Sequence, residues 1–219
     1  MARDLDHIDA WIFDLDNTLY PASINLFAQI DVRIKGFISE LLKLPPDEAF
    51  VLQKKYYRAH GTSLRGLMIH HDVNPDEFLD YVHDIDHSVL QPDTALNTAL
   101  AALPGRKFVF TNGSTHHAER TLEQLGVAAH FSGIHDIRAG NYVPKPDPAT
   151  YAALIAKHTI KPTCAAMFED LHINLKPAAA LGMTTVFIST GDGRVMPGDD
   201  LSHCHYVTDN LVDWLNGKR

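Results

Sequence analysis

No stretch of this sequence stays apolar for anything near the ~20 residues that a membrane-spanning helix needs, although 45% of its 219 residues are hydrophobic. Helical membrane spans are therefore not expected, and the apolar content suits one sizeable core plus a smaller accessory domain. Basic charge is also short: 19 Lys and Arg face 27 Asp and Glu, a formal charge of −8. General attraction to nucleic acid polymers or anionic membranes is not expected from such a chain. Any phosphate-bearing ligand would need a local positive centre. Cysteine is scarce, and Cys164 and Cys204 read as buried thiols of a reducing compartment rather than a disulfide framework. Met1 to Asp6 lacks a secretory pattern, since no apolar segment follows its basic residue. Together these absences predict a soluble, cytoplasmic protein.

What the chain does have is a rhythm. Ala10-Trp11-Ile12-Phe13 is continuously apolar, as are Phe108-Val109-Phe110, Ala165-Ala166-Met167-Phe168 and Thr185-Val186-Phe187-Ile188. A weaker run surrounds Phe131 and Ile134. Short unalternating runs suit strands covered on both faces. Helical patterns lie between them. Asp93 can cap a helix carrying Leu96 and Leu100, and Ser114 one carrying Ala118, Leu122 and Leu125 with Gly126 as its stop. Asp147-Pro148 opens a third, Leu175, Ala178 and Leu181 mark a fourth, and a short last helix runs through Leu211, Trp214 and Leu215. Alternating strand and helix predict an α/β fold with a parallel sheet.

Residues 21–91 break that rhythm. Ile30, Ile34, Phe37, Ile38 and Leu41 keep helical spacing, as do Val51, Leu52 and Tyr56 after Pro45-Pro46. Asn74-Pro75-Asp76-Glu77 starts a helix with Phe78, Val82 and Ile85 on its apolar side. This predicts an all-helical insert over the end of the first strand, with residues 1–20 and 92–219 forming the α/β core. The loop from Gly191 to Asp200 is the most flexible-looking internal segment.

In open α/β sheets, ligands bind at the C-terminal ends of the strands. The first run ends in Asp14 and Asp16, the second in Thr111-Asn112-Gly113-Ser114, and the fourth in Glu169-Asp170. Lys145 lies between them, flanked by Pro144 and Pro146. Residues at i and i+2 of a strand share a face, so Asp14 and Asp16 repel and call for a hard cation and a proton. A calcium loop fails, because Leu19 and Asn25 stand where an EF-hand needs Gly and Glu. The fourteen histidines, His70-His71 and His203-Cys204-His205 among them, show no recognised zinc spacing. His116 and His117 read as surface or packing residues.

On these residues the chain resembles the haloacid dehalogenase-like hydrolase superfamily. Asp14-Leu15-Asp16-Asn17-Thr18 looks like its first motif, Thr111-Asn112 its second, Lys145 its third and Glu169-Asp170 its fourth. Within it, Asp14 through Pro21, with Lys54-Lys55-Tyr56-Tyr57-Arg58-Ala59-His60-Gly61 and Gly66-Leu67, resembles the pyrimidine 5′-nucleotidase subgroup. The resemblance implies a Rossmann-like parallel sheet with an inserted all-helical cap domain.

Together with the chemistry, the resemblance implies a phosphatase. Asp14 would be the nucleophile and Asp16 the general acid and base, keeping a proton for the first step. Lys145 would stabilise charge, and Thr111, Asn112, Gly113 and Lys145 would bind phosphate. Mg²⁺ would sit on Asp14, Asp170 and the Asp16 backbone carbonyl, with Glu169 reached through water. His60, Thr62, Arg65 and His70 would face the leaving group. The expected partner is a small phosphomonoester, first a pyrimidine nucleoside 5′-monophosphate. The fourth motif reads Glu169-Asp170-Leu171, where the subgroup usually has Asp-Asp-Ser. Glu-Asp is common among sugar-phosphate phosphatases and phosphoglucomutases, so sugar phosphates and phosphoglycolate stay open. A binding or regulatory protein that lost catalysis is the alternative of another class.

Overall fold

The computed structural model describes residues 5–191, 195–196 and 198–217. Its strands are β1 (Ala10–Phe13), β2 (Arg106–Phe110), β3 (Gly133–His135), β4 (Ala165–Glu169), β5 (Thr184–Ile188) and β6 (Tyr206–Thr208). They form one parallel sheet in the order β3-β2-β1-β4-β5-β6. Helices α1 (Leu26–Leu42), α2 (Pro46–His60), α3 (Ser63–His71), α4 (Pro75–Val82) and α5 (Thr94–Ala102) separate β1 from β2. Then α6 (Thr115–Leu125) follows β2, α7 (Pro148–His158) precedes β4, α8 (His172–Ala180) precedes β5, and α9 (Leu211–Leu215) follows β6. This is a Rossmann-like α/β fold.

The unalternating strand sequences have a direct cause. Ala10 and Ile12 join Phe108, Phe110, Ala165 and Met167 in one apolar cluster, which α7 and α8 complete through Tyr151, Leu154, Leu175 and Ala178. Trp11 and Phe13 pack with Val109, Ala166 and Phe168 in the other, against Leu96 of α5, Leu122 of α6 and Trp214 of α9. Side chains alternate between faces along a strand, so a strand covered on both faces is apolar throughout.

The helix starts follow from their caps. Asp93, Asn74 and Asp147 each accept a backbone N–H at 2.9 Å from Leu96, Asp76 and Ala149 respectively. Each bond satisfies one of the amides that an N-terminus leaves without an intrahelical partner. The topology reverses between β1 and β4: the chain moves outward from β1 through β2 to β3, then returns to β1's other side. A crevice opens at such a switch point beyond the strands' C-terminal ends.

The inserted helices are closely packed. A Cβ added to Gly66 in α3 would lie 2.5 Å from both Cβ and Cγ of Tyr56 in α2. Several contacts tie them to the sheet domain: Asp76 accepts from Arg138 Nε at 2.7 Å and Tyr142 Oη at 3.0 Å. Gly61, at φ +82°, abuts Pro144 and the Lys145 carbonyl.

Several expectations need correction. Helix α3 and strand β6 were not anticipated; β6 is a three-residue edge strand without full burial. The helix expected to reach Ile85 stops at Val82 with His83 as its C-cap. Cys164 and Cys204 are free thiols, half-buried rather than buried. Of the loop expected to be flexible, Asp192, Gly193, Arg194 and Pro197 lie outside the described residues. Among the described residues, no helix is long and apolar enough to cross a membrane.

Candidate active site

Strand β1 does not end at Phe13 electrostatically, because the Asp14 amide still donates to Phe168 O at 2.9 Å. That bond fixes the Asp14 backbone against β4. The chain then turns: Asn17 takes a left-handed conformation at φ 62°, and the Leu19 amide returns to Leu15 O at 3.0 Å. Asn tolerates that region better than most residues. The turn brings Thr18 Oγ1 to within 3.4 Å of Asp14 Oδ2.

Lys145 is 2% exposed, so each of its ammonium protons needs an acceptor. Nζ donates to Asp14 Oδ1 at 2.7 Å, Glu169 Oε1 at 2.7 Å and Phe110 O at 2.8 Å. Burial alone would lower the Lys145 pKa, but Asp14 and Glu169 outweigh it and push it up. Asp14 moves to about 7: burial raises it most, Lys145 opposes, and Glu169 and Asp16 add to the rise.

Glu169 is gripped on both oxygens. Oε1 also accepts from Asn174 Nδ2 at 2.6 Å, and Oε2 accepts the Leu171 amide at 2.8 Å. Asp170 Oδ2 accepts from Asn17 Nδ2 at 3.4 Å. Asp14, Glu169 and Asp170 are all buried, and each offers an oxygen within 4.8 Å of the others. Three buried carboxylates against one lysine leave negative charge in excess. An oxygen-only set of this kind suits a hard divalent cation such as Mg²⁺. The donors therefore fit the expected metal, and Glu169 is at the same time engaged by Lys145, Asn174 and the Leu171 amide.

The second motif is tied to the Lys145 loop. Asn112 clamps the Lys145 backbone, its Oδ1 accepting the Lys145 amide at 2.8 Å and its Nδ2 donating to Lys145 O at 3.4 Å. The Gly113 amide donates to Thr111 Oγ1 at 2.9 Å. Thr111 retains its own hydroxyl proton as a donor, while the Asn112 side chain and Gly113 amide already have partners inside the protein. Of the insert residues, Thr62 caps α3 by accepting the Arg65 amide at 3.1 Å, and His60 and His70 pair with each other at 3.0 Å. The Gly61 turn beside them is placed against the Lys145 loop.

Asp16 stands apart from the other carboxylates, with its side chain 14% exposed. Its Oδ1 accepts from Tyr20 Oη at 2.5 Å and meets His117 Nε2 at 2.9 Å. Burial works to raise its pKa, but the His117 ring and its hydrogen bond, with the Tyr20 hydroxyl, hold it below the ordinary carboxylate value. Burial thus pushes the Asp14 carboxyl up, while His117 and Tyr20 hold the Asp16 carboxyl down.

A family model described as haloacid dehalogenase-like hydrolase matches residues 8–182. The chain belongs to this family. Phosphate metabolism protein 8 of Saccharomyces cerevisiae is 30% identical over 191 residues, covering 79% of this chain and 59% of that protein. The chain thus spans somewhat more than half the length of this curated relative. Among solved structures, a HAD phosphatase from Thermococcus onnurineus superposes with a TM-score of 0.64 at 19% identity, covering 95% of this chain and 97% of that one. L-2-haloacid dehalogenase from Xanthobacter autotrophicus superposes at 0.61 with 15% identity and the same coverages. A phosphatase and a dehalogenase share the fold, so the chemistry of this chain must be argued from its side chains.

The sequence pattern missed three residues of the Asp16 environment. Tyr20 lies in the opening stretch, one helical turn beyond Asp16, but reads as a core aromatic. His117, expected at the surface or in packing, is fully buried, whereas its neighbour His116 is exposed. His87, 1% exposed, reaches His117 Nδ1 through Nε2 at 3.0 Å. No sequence spacing connects residues 16, 87 and 117; only the fold does.

Proposed function

We propose that this hydrolase is a Mg²⁺-dependent phosphatase of small phosphomonoesters that works through an aspartyl-phosphate on Asp14. The observation that carries the reading is Asp16, a partly open carboxyl two residues beyond Asp14 and held by Tyr20 and His117. A halide leaving group needs no proton, whereas an alkoxide does. An acid at this position favours phosphoester hydrolysis over dehalogenation.

Asp14 attacks phosphorus, and the bond to the ester oxygen breaks as Asp16, on which the negative charge of the bound phosphate favours a proton against the pull of His117 and Tyr20, delivers that proton to the departing alkoxide. Asp16 then takes a proton from water, which attacks the aspartyl-phosphate and returns Asp14. Lys145 holds Asp14 and offsets charge on the phosphoryl group, and Thr111 donates its hydroxyl proton to a phosphoryl oxygen. Asp14 and Asp170, with the Asp16 backbone carbonyl and Glu169 through water, would hold Mg²⁺. When bound, the ion supplies the positive charge that a phosphate dianion needs beside these carboxylates.

Residues 21–91 act as a cap that closes over the site and excludes water, which favours small metabolites over phosphoproteins. The Gly61 turn against the Lys145 loop supports this placement. Pyrimidine nucleoside 5′-monophosphates are the first substrates, on the motif resemblance from Asp14 to Pro21 and in α2. The Glu169-Asp170-Leu171 motif favours sugar phosphates or phosphoglycolate as the second reading.

The test is phosphate release from UMP, CMP, AMP, phosphoglycolate and hexose phosphates, with Mg²⁺ and with excess chelator. Turnover of UMP or CMP that disappears with chelator is expected. Full turnover in chelator sinks the metal assignment. No release from any ester, a generic aryl phosphate included, favours a catalytically silent binding protein.

A further inference from the structure

Three histidines from two parts of the chain cluster beside Asp16, and His117 is the one that touches it. His117 lies in the first turn of α6, while His83 and His87 lie in the segment that returns from α4 to the sheet. All three are buried: 0% exposed for His117, 6% for His83 and 1% for His87. The His83 ring stacks on that of His117 with centroids 4.7 Å apart and planes at 5°. His83 Nδ1 also pairs with Ser114 Oγ at 2.9 Å, the same oxygen that accepts the His117 amide at 3.3 Å.

The hydrogen-bond directions in this chain can be counted. His87 Nδ1 faces the Ile85 carbonyl at 3.2 Å; a carbonyl only accepts, so Nδ1 carries hydrogen. Burial first, then His117, drives the His87 pKa down to about 4, so its ring is neutral and Nε2 is an acceptor. His117 Nδ1 therefore donates to it, and the ring cannot flip without breaking that bond. His117 Nε2 faces Asp16 Oδ1 at 2.9 Å, and because a carboxylate oxygen accepts, the nitrogen is the donor of that bond. The Tyr20 hydroxyl reaches the same oxygen.

We propose that His117 is a positioning residue for Asp16: it fixes the carboxyl through Oδ1, leaves Oδ2 as the oxygen that exchanges protons with leaving group and water, and is itself set by His87 and His83 from the insert side. This rests on the reading of Asp16 as general acid and base. It makes the aim of that carboxyl depend on how the inserted helices return to the sheet. A packing histidine would fill space but would not care which leaving group departs.

The discriminating measurement is kcat/KM with saturating Mg²⁺ for two esters. UMP has a basic alkoxide leaving group that needs Asp16, and p-nitrophenyl phosphate has one that leaves without a proton. For His117→Ala the UMP value should fall on the order of 100-fold, within the range of a general acid's contribution, and the aryl value much less. The loss should lie in kcat with KM nearly unchanged. His117→Gln, whose amide nitrogen can reach the place of Nε2, should recover most of it. His87→Leu should show the same selectivity, weaker, and decides the matter if His117→Ala does not fold. Equal losses on both esters, or no loss in a folded variant, overturn the positioning role while leaving the phosphatase reading intact. A wild-type protein that releases phosphate from neither ester overturns both.

Discussion

Lys145 Nζ stands 2.7 Å from Asp14 Oδ1 and 2.7 Å from Glu169 Oε1, one buried ammonium shared by two buried carboxylates. Lys145→Met keeps much of the volume and removes the charge. Breaking such a group by deleting one partner costs about 3–5 kcal/mol, because the remaining charges stay buried without compensation. Urea unfolding without metal should show a loss of that order, and phosphate release should vanish. A variant within 1 kcal/mol of wild type would mean that the carboxylates find another counter-charge.

Asp14→Asn is expected to stop turnover and to change the pH profile of stability. The Asp14 pKa is raised by burial, Glu169 and Asp16 to about 7 in the fold, against about 3.9 in an unfolded chain. The unfolded state therefore loses its proton first, and Asp14 withdraws stability as pH rises from about 4 to 7. The metal-free Asn variant should gain on wild type across that window and hold its advantage at pH 8. Melting temperatures at pH 5 and pH 8 check this; a constant difference between the two proteins refutes the raised pKa.

The buried histidines act in the opposite sense. Burial drives His83 to about 3 and His87 and His135 to about 4, below the ordinary ~6.5. A depressed group contributes stability above its unfolded pKa and loses it as pH falls toward the folded one. Three such groups outweigh Asp14, so wild-type stability should fall between pH 6.5 and 4. Neither ring nitrogen of His135 has a hydrogen-bond partner among the described residues, and the ring lies edge-on to Phe110. His135→Phe should therefore reduce the acid sensitivity, seen as a smaller drop in urea midpoint from pH 7 to 5.

Metal binding can be divided between the two residues of the fourth motif. Glu169 already serves Lys145, Asn174 and the Leu171 amide, so its carboxylate has a structural duty beside any part in holding the ion with Asp14 and Asp170. Asp170→Asn should raise the Mg²⁺ concentration for half-maximal activity by at least about 10-fold, by analogy with loss of ligand support at metal sites. Glu169→Gln should act more on stability than on metal affinity. The reverse order would place Glu169 directly on the ion.

Gly66→Ala sets two effects against each other. Alanine in a helix is worth about 1 kcal/mol over glycine, but its Cβ would sit 2.5 Å from Tyr56 Cβ and Cγ. Both clashing atoms are anchored close to their backbones, so α2 and α3 must separate, and overpacking costs about 1–3 kcal/mol. A net loss of stability is expected, read from thermal unfolding; a stabilised variant would mean that the two helices part easily.

The fold was legible because β1, β2, β4 and β5 are buried on both faces, and such strands appear in sequence as unbroken apolar runs. Strand β6 was not, since a three-residue edge strand carries too little pattern. The motif residues Asp14, Lys145, Glu169 and Asp170 could be found at the ends of those runs or between them. Asn112 carries a role that its place at a strand end did not suggest: its side chain holds the Lys145 backbone. His117 and His87 were hidden for a different reason. A histidine in a helix's first turn looks the same in sequence whether it faces water or, 101 residues away, a carboxylate.

The sheet order also governs how the molecule is made. β1 pairs on one side with β2, Ala10 opposite Arg106, and on the other with β4, Ala10 opposite Ala165. During synthesis the first partner arrives long before the second. Until Ala165–Glu169 leaves the ribosome, β1 has an apolar, hydrogen-bonding edge with nothing beside it, a state that invites pairing with other chains. Asp14, whose amide bonds to Phe168 O, takes its final place only with that late strand. Nascent chains halted between β3 and β4 should therefore depend on chaperones, and Asp14 stays unset until β4 arrives.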